Sequence, residues 1–157
     1  MEKTKNFGSS LIRDTLNKYD YEDPREKAFL KRLTEGTLES LLTLDYVINA
    51  YSKTPTNKMK PLIRSLLRLS VYQILYMDTV PDSAACNEAV RLAKKKGFER
   101  LSGFVNGVLR TITRNKEEIL NSESAFWQEL QKNPVQALSV RYSVPEWMIS
   151  LWEAQYG

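Results

Sequence analysis

Residues 62–76 read LIRSLLRLSVYQILY, and this stretch decides the fold. Its apolar side chains recur at spacings of three and four rather than in alternation, which is the period of an α-helix. They cover more than half of the helix circumference: Leu62, Ile63, Leu66, Leu69, Val71 and Ile74. A helix with so much apolar surface is buried on most sides. We therefore expect a central helix from about Lys60 to Tyr76.

The sequence before this stretch has the same helical period, so the expected fold class is all-α, a helical bundle. A first helix is expected over Ser9–Tyr19. A second begins where the capping residue Asp23 precedes Pro24, which suits the first helical position, with Glu26 following as the reciprocal cap. Gly36 is about 1 kcal/mol less favourable than alanine inside a helix. We expect it to divide or kink the segment that follows.

The sequence after the central helix contains a clear break and two further helices. Residues 80–83, Val-Pro-Asp-Ser, are expected to end the central helix, with Ser83 capping a helix over Ala84–Lys96. Gly97 can adopt the left-handed conformation that closes such a helix. Another helix is expected over Leu101–Asn115.

Gly103 and Gly107 lie four residues apart in the helix expected over Leu101–Asn115, and therefore on one face of it. Glycine lets another backbone approach closely. Tight packing against a neighbouring helix is the favoured interpretation, and the approach of a phosphate to bare backbone is the alternative.

The composition is that of one soluble globular domain with a short appendage: 157 residues, 42% hydrophobic and 27% charged. The single cysteine, Cys86, cannot form an intrachain disulfide, which indicates a reducing compartment. No run approaches the roughly 20 apolar residues that span a bilayer. The first ten residues, MEKTKNFGSS, have no hydrophobic signal core. We expect a cytoplasmic protein that does not enter a membrane.

The chain contains no histidine, which excludes several classes of site. Histidine is the usual general base at neutral pH, a common zinc ligand and the partner of catalytic serine or cysteine. The phosphate-binding patterns GxGxxG and GxxxxGK[ST] are also missing. We therefore expect no catalytic, metal or cofactor site, and a binding domain rather than an enzyme.

The charges are distributed unevenly. Residues 53–116 contain 13 Lys and Arg against 4 Asp and Glu, whereas the rest of the chain contains 10 against 15. A basic segment of this kind is typical of a surface that meets phosphate, although a solvated helix face gives similar counts.

Three runs carry a specific resemblance: GTLESLLTLDYVI (36–48), IRSLLRLSVYQILYMDTVPDSAACNEAVRLAKKKG (63–97) and GFVNGVLRTITR (103–114). Together they resemble the NusB-type domain at the N-terminus of the RsmB (Sun/Fmu) family of ribosomal RNA methyltransferases, over roughly residues 5–157. The family makes 5-methylcytosine in small-subunit ribosomal RNA with S-adenosylmethionine. The resemblance implies a NusB-like RNA-binding domain over residues 1–120.

Residues 137–157, ALSVRYSVPEWMISLWEAQYG, resemble the family's junction, where an RYS-x-PEW element precedes the catalytic half. Val144 stands where the family often has histidine. Residues 121–157 are therefore expected to be a helical linker and the start of the methyltransferase domain. An apolar stripe follows one face of the last helix: Val144, Trp147, Met148, Leu151 and Trp152. It must dock on this bundle, on a neighbour such as a second copy, or on another domain.

The resemblance implies a substrate-recognition domain that is not an enzyme on its own, with S-adenosylmethionine held by the catalytic half. Its expected partners are small-subunit ribosomal RNA and its own C-terminal methyltransferase domain. The alternative is a NusB-type interaction or antitermination module that scaffolds a partner protein or a dimer.

The resemblance also implies RNA contacts through basic side chains on helices. The candidates are Lys94, Lys95, Lys96, Arg100, Arg110, Arg114, Lys116 and Arg64. If the helices over Ala84–Lys96 and Leu101–Asn115 are antiparallel, the basic residues at their C-terminal ends form two groups that lie apart. Cations at a helix C-terminus also complement the helix dipole, which is the alternative explanation for them. Arg68 is expected to pair with Glu88. The thiol of Cys86 is expected to be buried rather than reactive, and Phe98 is the aromatic best placed to stack on a base.

Overall fold

The computed structural model describes residues 23–156, which contain nine α-helices and no strand. Their bounds are α1 Pro24–Glu39, α2 Leu41–Tyr51, α3 Pro61–Tyr76, α4 Asp82–Lys95, α5 Glu99–Arg114, α6 Lys116–Leu120, α7 Ala125–Gln131, α8 Pro134–Tyr142 and α9 Glu146–Tyr156, with a 3-10 turn at Thr56–Lys58. The all-α prediction is confirmed. The helix expected over Ser9–Tyr19 lies outside the described residues.

Helix α3 forms the centre of the bundle, as the apolar period predicts. It contacts α1, α2, α4, α5 and α6. Its buried apolar side chains are Leu62, Ile63, Leu66, Leu67, Val71, Ile74 and Leu75. Leu69 is partly exposed, in contrast to the prediction. Burial of each such side chain stabilises the fold by about 1.5–3 kcal/mol, so α3 anchors the core.

Helix α1 begins as predicted but does not break where predicted. The side chain of Asp23 accepts a hydrogen bond from the backbone N–H of Arg25, at 2.9 Å. The helix then continues through Gly36 and ends at Glu39. A Cβ on Gly36 would lie 2.1 Å from the ring of Tyr72. The segment does form two helices, as predicted, but they meet at Ser40 and the joint predicted at Gly36 is wrong, because this glycine makes room for an aromatic ring of α3.

The turn between α4 and α5 forms around Gly97, which has φ +87°. The N–H of Phe98 donates to the carbonyl of Ala93 at 2.8 Å, which closes α4 in a Schellman motif. This end of α4 is as predicted. Its start differs, because Pro81 is the N-cap and makes no side-chain capping bond. The prediction that Ser83 caps α4 is therefore wrong.

Residues beyond 120 pack directly on the bundle. The indole Nε1 of Trp127 donates to the carbonyl of Ile119 at 2.8 Å. The ring of Trp127 stacks on Tyr46 with 5.4 Å between centroids, and Phe126 stacks on Tyr51 at 5.7 Å. Helix α7 thus covers one face of α2.

Helix α9 packs on α8, and four side chains of the apolar stripe are exposed on it, Trp147, Met148, Leu151 and Trp152, whereas Val144 is partly buried. Trp147 is 67% exposed and Trp152 is 66% exposed. Docking of the stripe on this bundle, one of the predicted possibilities, is therefore wrong. No helix within residues 23–156 is both long enough and apolar enough to cross a bilayer.

Candidate nucleic-acid interface

Four predicted RNA-binding residues surround the α4–α5 turn: Lys94, Lys95, Lys96 and Arg100, here called the basic turn. All four are exposed, and none forms an ion pair with a carboxylate of the described residues. Gly97 reverses the chain between them, and Phe98 packs against the core and anchors the turn. The structure therefore presents four unneutralised cations within seven residues of sequence.

The other candidates on α5, Arg110 and Arg114, lie towards its far end, about 15 Å and about 21 Å from Arg100 along the axis at 1.5 Å per residue. Hydrogen bonds show that α4 and α5 are antiparallel: Arg110 Nη2 donates to Asn87 Oδ1 at 2.9 Å, and Lys116 Nζ lies 3.2 Å from Asp82 Oδ1. The basic residues thus form two groups, as expected for antiparallel helices.

The two groups differ in how much positive charge they retain. Lys116 is neutralised by its ion pair with Asp82. Arg110 and Arg114 bond only to neutral oxygens, of Asn106 and Asn87 for the first and of Thr111 for the second. Both arginines therefore keep a charge for an anion. The two asparagines that hold Arg110 were not predicted; the one local signal is that Asn106 precedes Arg110 by one helical turn.

Gly103 and Gly107 lie on the exposed face of α5 between the two groups. A Cβ added to either glycine would have no atom within 4 Å. The prediction of tight helix packing is therefore wrong. Arg100, Arg110 and Arg114 follow the same three-and-four spacing and share this face. The two glycines therefore expose backbone between the basic groups.

Arg64 and Arg68, both on α3, are engaged inside the protein. Arg64 Nη1 donates to the carbonyl of Thr56 at 3.2 Å, and burial, with a contribution from the charge of Arg68, lowers the pKa of Arg64. Arg68 forms two hydrogen bonds to Asp45, of 2.7 and 2.6 Å. The predicted pairing of Arg68 with Glu88 is wrong, because Glu88 accepts from Arg91 on its own helix.

The candidate stacking aromatics and the single thiol belong mainly to the core. Tyr72, Phe98 and Phe104 are partly buried against it. Cys86 is fully buried, with Sγ 3.9 Å from the hydroxyl of Thr113. The buried-cysteine prediction is confirmed. Tyr76, 39% exposed, lines a cavity of about 280 Å³ between the bundle and α6–α8.

Residues 23–156 thus form a small all-α domain in which one turn exposes four cations that pair with no carboxylate of the described residues. Residues 1–114 match the NusB family, and the chain belongs to that family. The described part of the chain contains no group of three His, Cys, Asp or Glu that could hold a metal.

Relatives of two kinds are similar to this chain. The probable ribosomal RNA small subunit methyltransferase B of Bacillus subtilis is 35% identical over all 157 residues, which span 33% of that protein. Its counterpart in Synechocystis is 35% identical over 137 residues, 85% of this chain and 28% of the relative. The transcription antitermination protein NusB of Thermodesulfovibrio yellowstonii is 36% identical over 108 residues, 68% of this chain and 70% of the relative.

The chain thus spans about a third of the methyltransferase relatives that it matches. No solved structure matches it significantly.

Proposed function

We propose that this chain is the RNA-binding, substrate-recognition domain of an S-adenosylmethionine-dependent ribosomal RNA cytosine-C5 methyltransferase. The observation that carries the proposal is the basic turn, whose four cations are exposed and form no ion pair with a carboxylate of residues 23–156. Lysine and arginine bind phosphate oxygens without reading sequence. The domain would hold small-subunit ribosomal RNA while a separate catalytic domain reaches the target cytosine.

The extent of similarity favours a methyltransferase over an antitermination factor. The antitermination relative aligns with 108 residues, whereas the Bacillus subtilis methyltransferase relative aligns with all 157, a span that includes residues 141–147. Residues 121–157 would then lead from the RNA-binding bundle to the methyltransferase domain, which would be this chain's partner in the same protein.

The residues present do not fit S-adenosylmethionine. Residues 23–156 contain no β-strand from which a ribose-binding and methionine-binding loop could extend, and their thiol is buried. The cofactor and the nucleophile would therefore be supplied by the catalytic domain, and this chain would contribute RNA binding alone.

The proposal predicts salt-dependent RNA binding. Each phosphate contact on a single strand lowers log K by about 0.7 per tenfold rise in salt, so four contacts predict a slope of about −3. Fluorescence anisotropy with a labelled small-subunit ribosomal RNA fragment, at several salt concentrations, measures it. No binding at low salt, or a slope near zero, would contradict the proposal.

A charge-matched pair of variants locates the contacts. Lys95→Ala with Arg100→Ala removes two cations from the basic turn. Arg25→Ala with Lys31→Ala removes the same two residue types from α1, where both are exposed. We expect the first pair to weaken binding at least tenfold and to reduce the slope by about 1.4, and the second pair to change neither by much. Equal losses in both pairs would show that the attraction depends on net charge and has no site.

A second candidate function is a NusB-type interaction module that binds a partner protein or a second copy. The exposed apolar stripe of α9 favours it, because contiguous apolar surface on a soluble protein commonly marks an interaction site. In that case sedimentation would show a dimer that Trp152→Glu dissociates, or partner binding would survive loss of the basic turn.

A further inference from the structure

Helix α8 ends in an unusual way. The N–H of Val144 donates to the carbonyl of Ser139 at 3.0 Å, and that of Ser143 to Val140 at 3.4 Å, which is the Schellman pattern. Ser143 therefore occupies the left-handed position, with φ 51°, and is the one residue other than glycine with positive φ in the described chain. At the equivalent position after α4 the chain has Gly97. A side chain in this conformation costs free energy that glycine would avoid. An interaction made by the Ser143 side chain is therefore expected to compensate for that cost.

The hydroxyl of Ser143 caps a different helix. Its Oγ accepts a hydrogen bond from the backbone N–H of Thr43 at 3.2 Å. Thr43 is the third residue of α2, where an N–H has no partner within its own helix. Ser40, the N-cap of α2, makes no side-chain capping bond. A side chain 100 positions away thus supplies the hydrogen-bond acceptor for an N–H in the first turn of α2.

Thr43 in turn donates a hydrogen bond to a carbonyl at the end of α8. Its Oγ1 donates to the carbonyl of Val140 and lies 3.2 Å from Ser143 Oγ. That carbonyl belongs to the last turn of α8, where carbonyls lack helical partners. The start of α2 and the end of α8 therefore cap each other, and Val140 is 7% exposed at the junction.

A further bond fixes the chain beyond this junction. Ser139 Oγ donates to the carbonyl of Val144 at 2.5 Å, and Ser139 is 4% exposed. Pro145 follows and cannot continue a helix, so α9 starts in a new direction at Glu146.

We infer that Ser139–Val144 is a rigid elbow, locked to the bundle by reciprocal capping between Thr43 and Ser143, which fixes the direction in which α9 projects its exposed apolar side chains. Ser143 and Thr43 are positioning residues. Within the RYS-x-PEW element, the serine thereby has a structural role. It does not depend on RNA binding.

The test compares the motion of α9 with that of the bundle in the 157-residue chain, by NMR. In the unaltered protein we expect backbone order parameters of about 0.85 in both α2 and α9, and residual dipolar couplings that fit one alignment tensor. If the order parameters of α9 are below about 0.6, or its couplings are averaged towards zero, the inference is wrong.

Three variants separate positioning from general stability. Thr43→Val and Ser143→Gly each remove one hydroxyl, and the glycine keeps the left-handed backbone without its cost, so this variant should fold. We expect both to lower the order parameters of α9 and to require a second alignment tensor. Thr43→Ser keeps the hydroxyl and should restore the single tensor. If either hydroxyl-deficient variant changes the midpoint of unfolding but leaves α9 aligned with the bundle, the contact is merely structural and the inference is overturned.

Discussion

At the scale of single residues, Arg68 shows how one side chain joins two core helices. Its guanidinium binds Asp45 through two parallel hydrogen bonds, which link α3 to α2. The two side chains are 11% and 19% exposed. A pair this shielded from water is costly to break, because the remaining charge loses its partner without regaining solvent.

Removal of one partner should therefore destabilise the protein more than removal of both. We expect Asp45→Ala to lower the free energy of unfolding by about 3 kcal/mol, near the lower end for buried pairs. Asp45→Leu combined with Arg68→Met should recover most of that loss. Urea denaturation measures both, and an Asp45→Ala variant as stable as the unaltered protein would show that the pair is solvated.

Substitution of the exposed glycines of α5 by alanine should stabilise the protein. Gly103→Ala and Gly107→Ala should each raise the free energy of unfolding by about 0.5–1 kcal/mol, because alanine favours a helix and the new Cβ meets open space. Gly36→Ala is the control, and it should destabilise because its Cβ collides with Tyr72. Loss of stability at position 103 or 107 would reveal a packed face.

At the scale of elements, aromatic contacts attach α7 to α2. Tyr46 and Tyr51 contribute two rings from α2, and Phe126 and Trp127 contribute two from α7. Burial, with a smaller contribution from a nearby glutamate in each case, raises the pKa of Tyr46 and of Tyr51. The fold therefore favours the neutral form of both hydroxyls at alkaline pH.

Because the folded state favours the protonated tyrosines, the free energy of unfolding should decrease at alkaline pH. Below about pH 10 the folded and unfolded chains both keep these protons. As pH rises further the unfolded chain loses them first, so its free energy falls and stability decreases through the folded pKa. Urea denaturation between pH 8 and 11 should show the decline, and Tyr46→Phe with Tyr51→Phe should reduce it.

At the scale of the whole molecule, opposite charges lie on different elements. The basic turn connects α4 and α5, whereas α6, α7 and the loop between them expose Glu117, Glu118, Glu123 and Glu129. An asymmetric field of this kind orients a polyanion before contact. If the chain binds RNA as proposed, the RNA should therefore approach from the side of the basic turn.

The extent of the folded unit can be tested by truncation. A chain ending at residue 144 should keep its free energy of unfolding within about 0.5 kcal/mol, because α9 contributes no residue to the buried core. A chain ending at residue 120, the boundary predicted from sequence, should lose at least about 3 kcal/mol, since Phe126 and Trp127 no longer cover α2. Equal stability of the two truncated chains would instead support the boundary at 120.

The sequence predicts well those features that depend on neighbouring residues. The central helix, the start at Asp23 and the left-handed Gly97 all follow from local period, capping or backbone freedom. It fails where the partner is distant. Glycine at position 36 has the same local signature whether it forms a joint or accommodates a ring, and only the packed fold places Tyr72 against it.

The candidate site likewise has features that local sequence predicts and features that depend on distant residues. Local spacing is sufficient to predict that the basic residues form two separate clusters. It could not show that Asp82 neutralises Lys116, that Asp45 holds Arg68, or that both glycines of α5 face solvent. Each of these depends on how helices distant in sequence lie against one another.

The complete burial of Cys86 makes this chain convenient for labelling. A cysteine introduced at an exposed position would react with a maleimide dye in the folded state, while the native thiol stays protected. One dye on α9 and another near Lys95 would report, by energy transfer, how far apart these two surfaces lie when RNA is added. No native residue has to be removed to make that reporter.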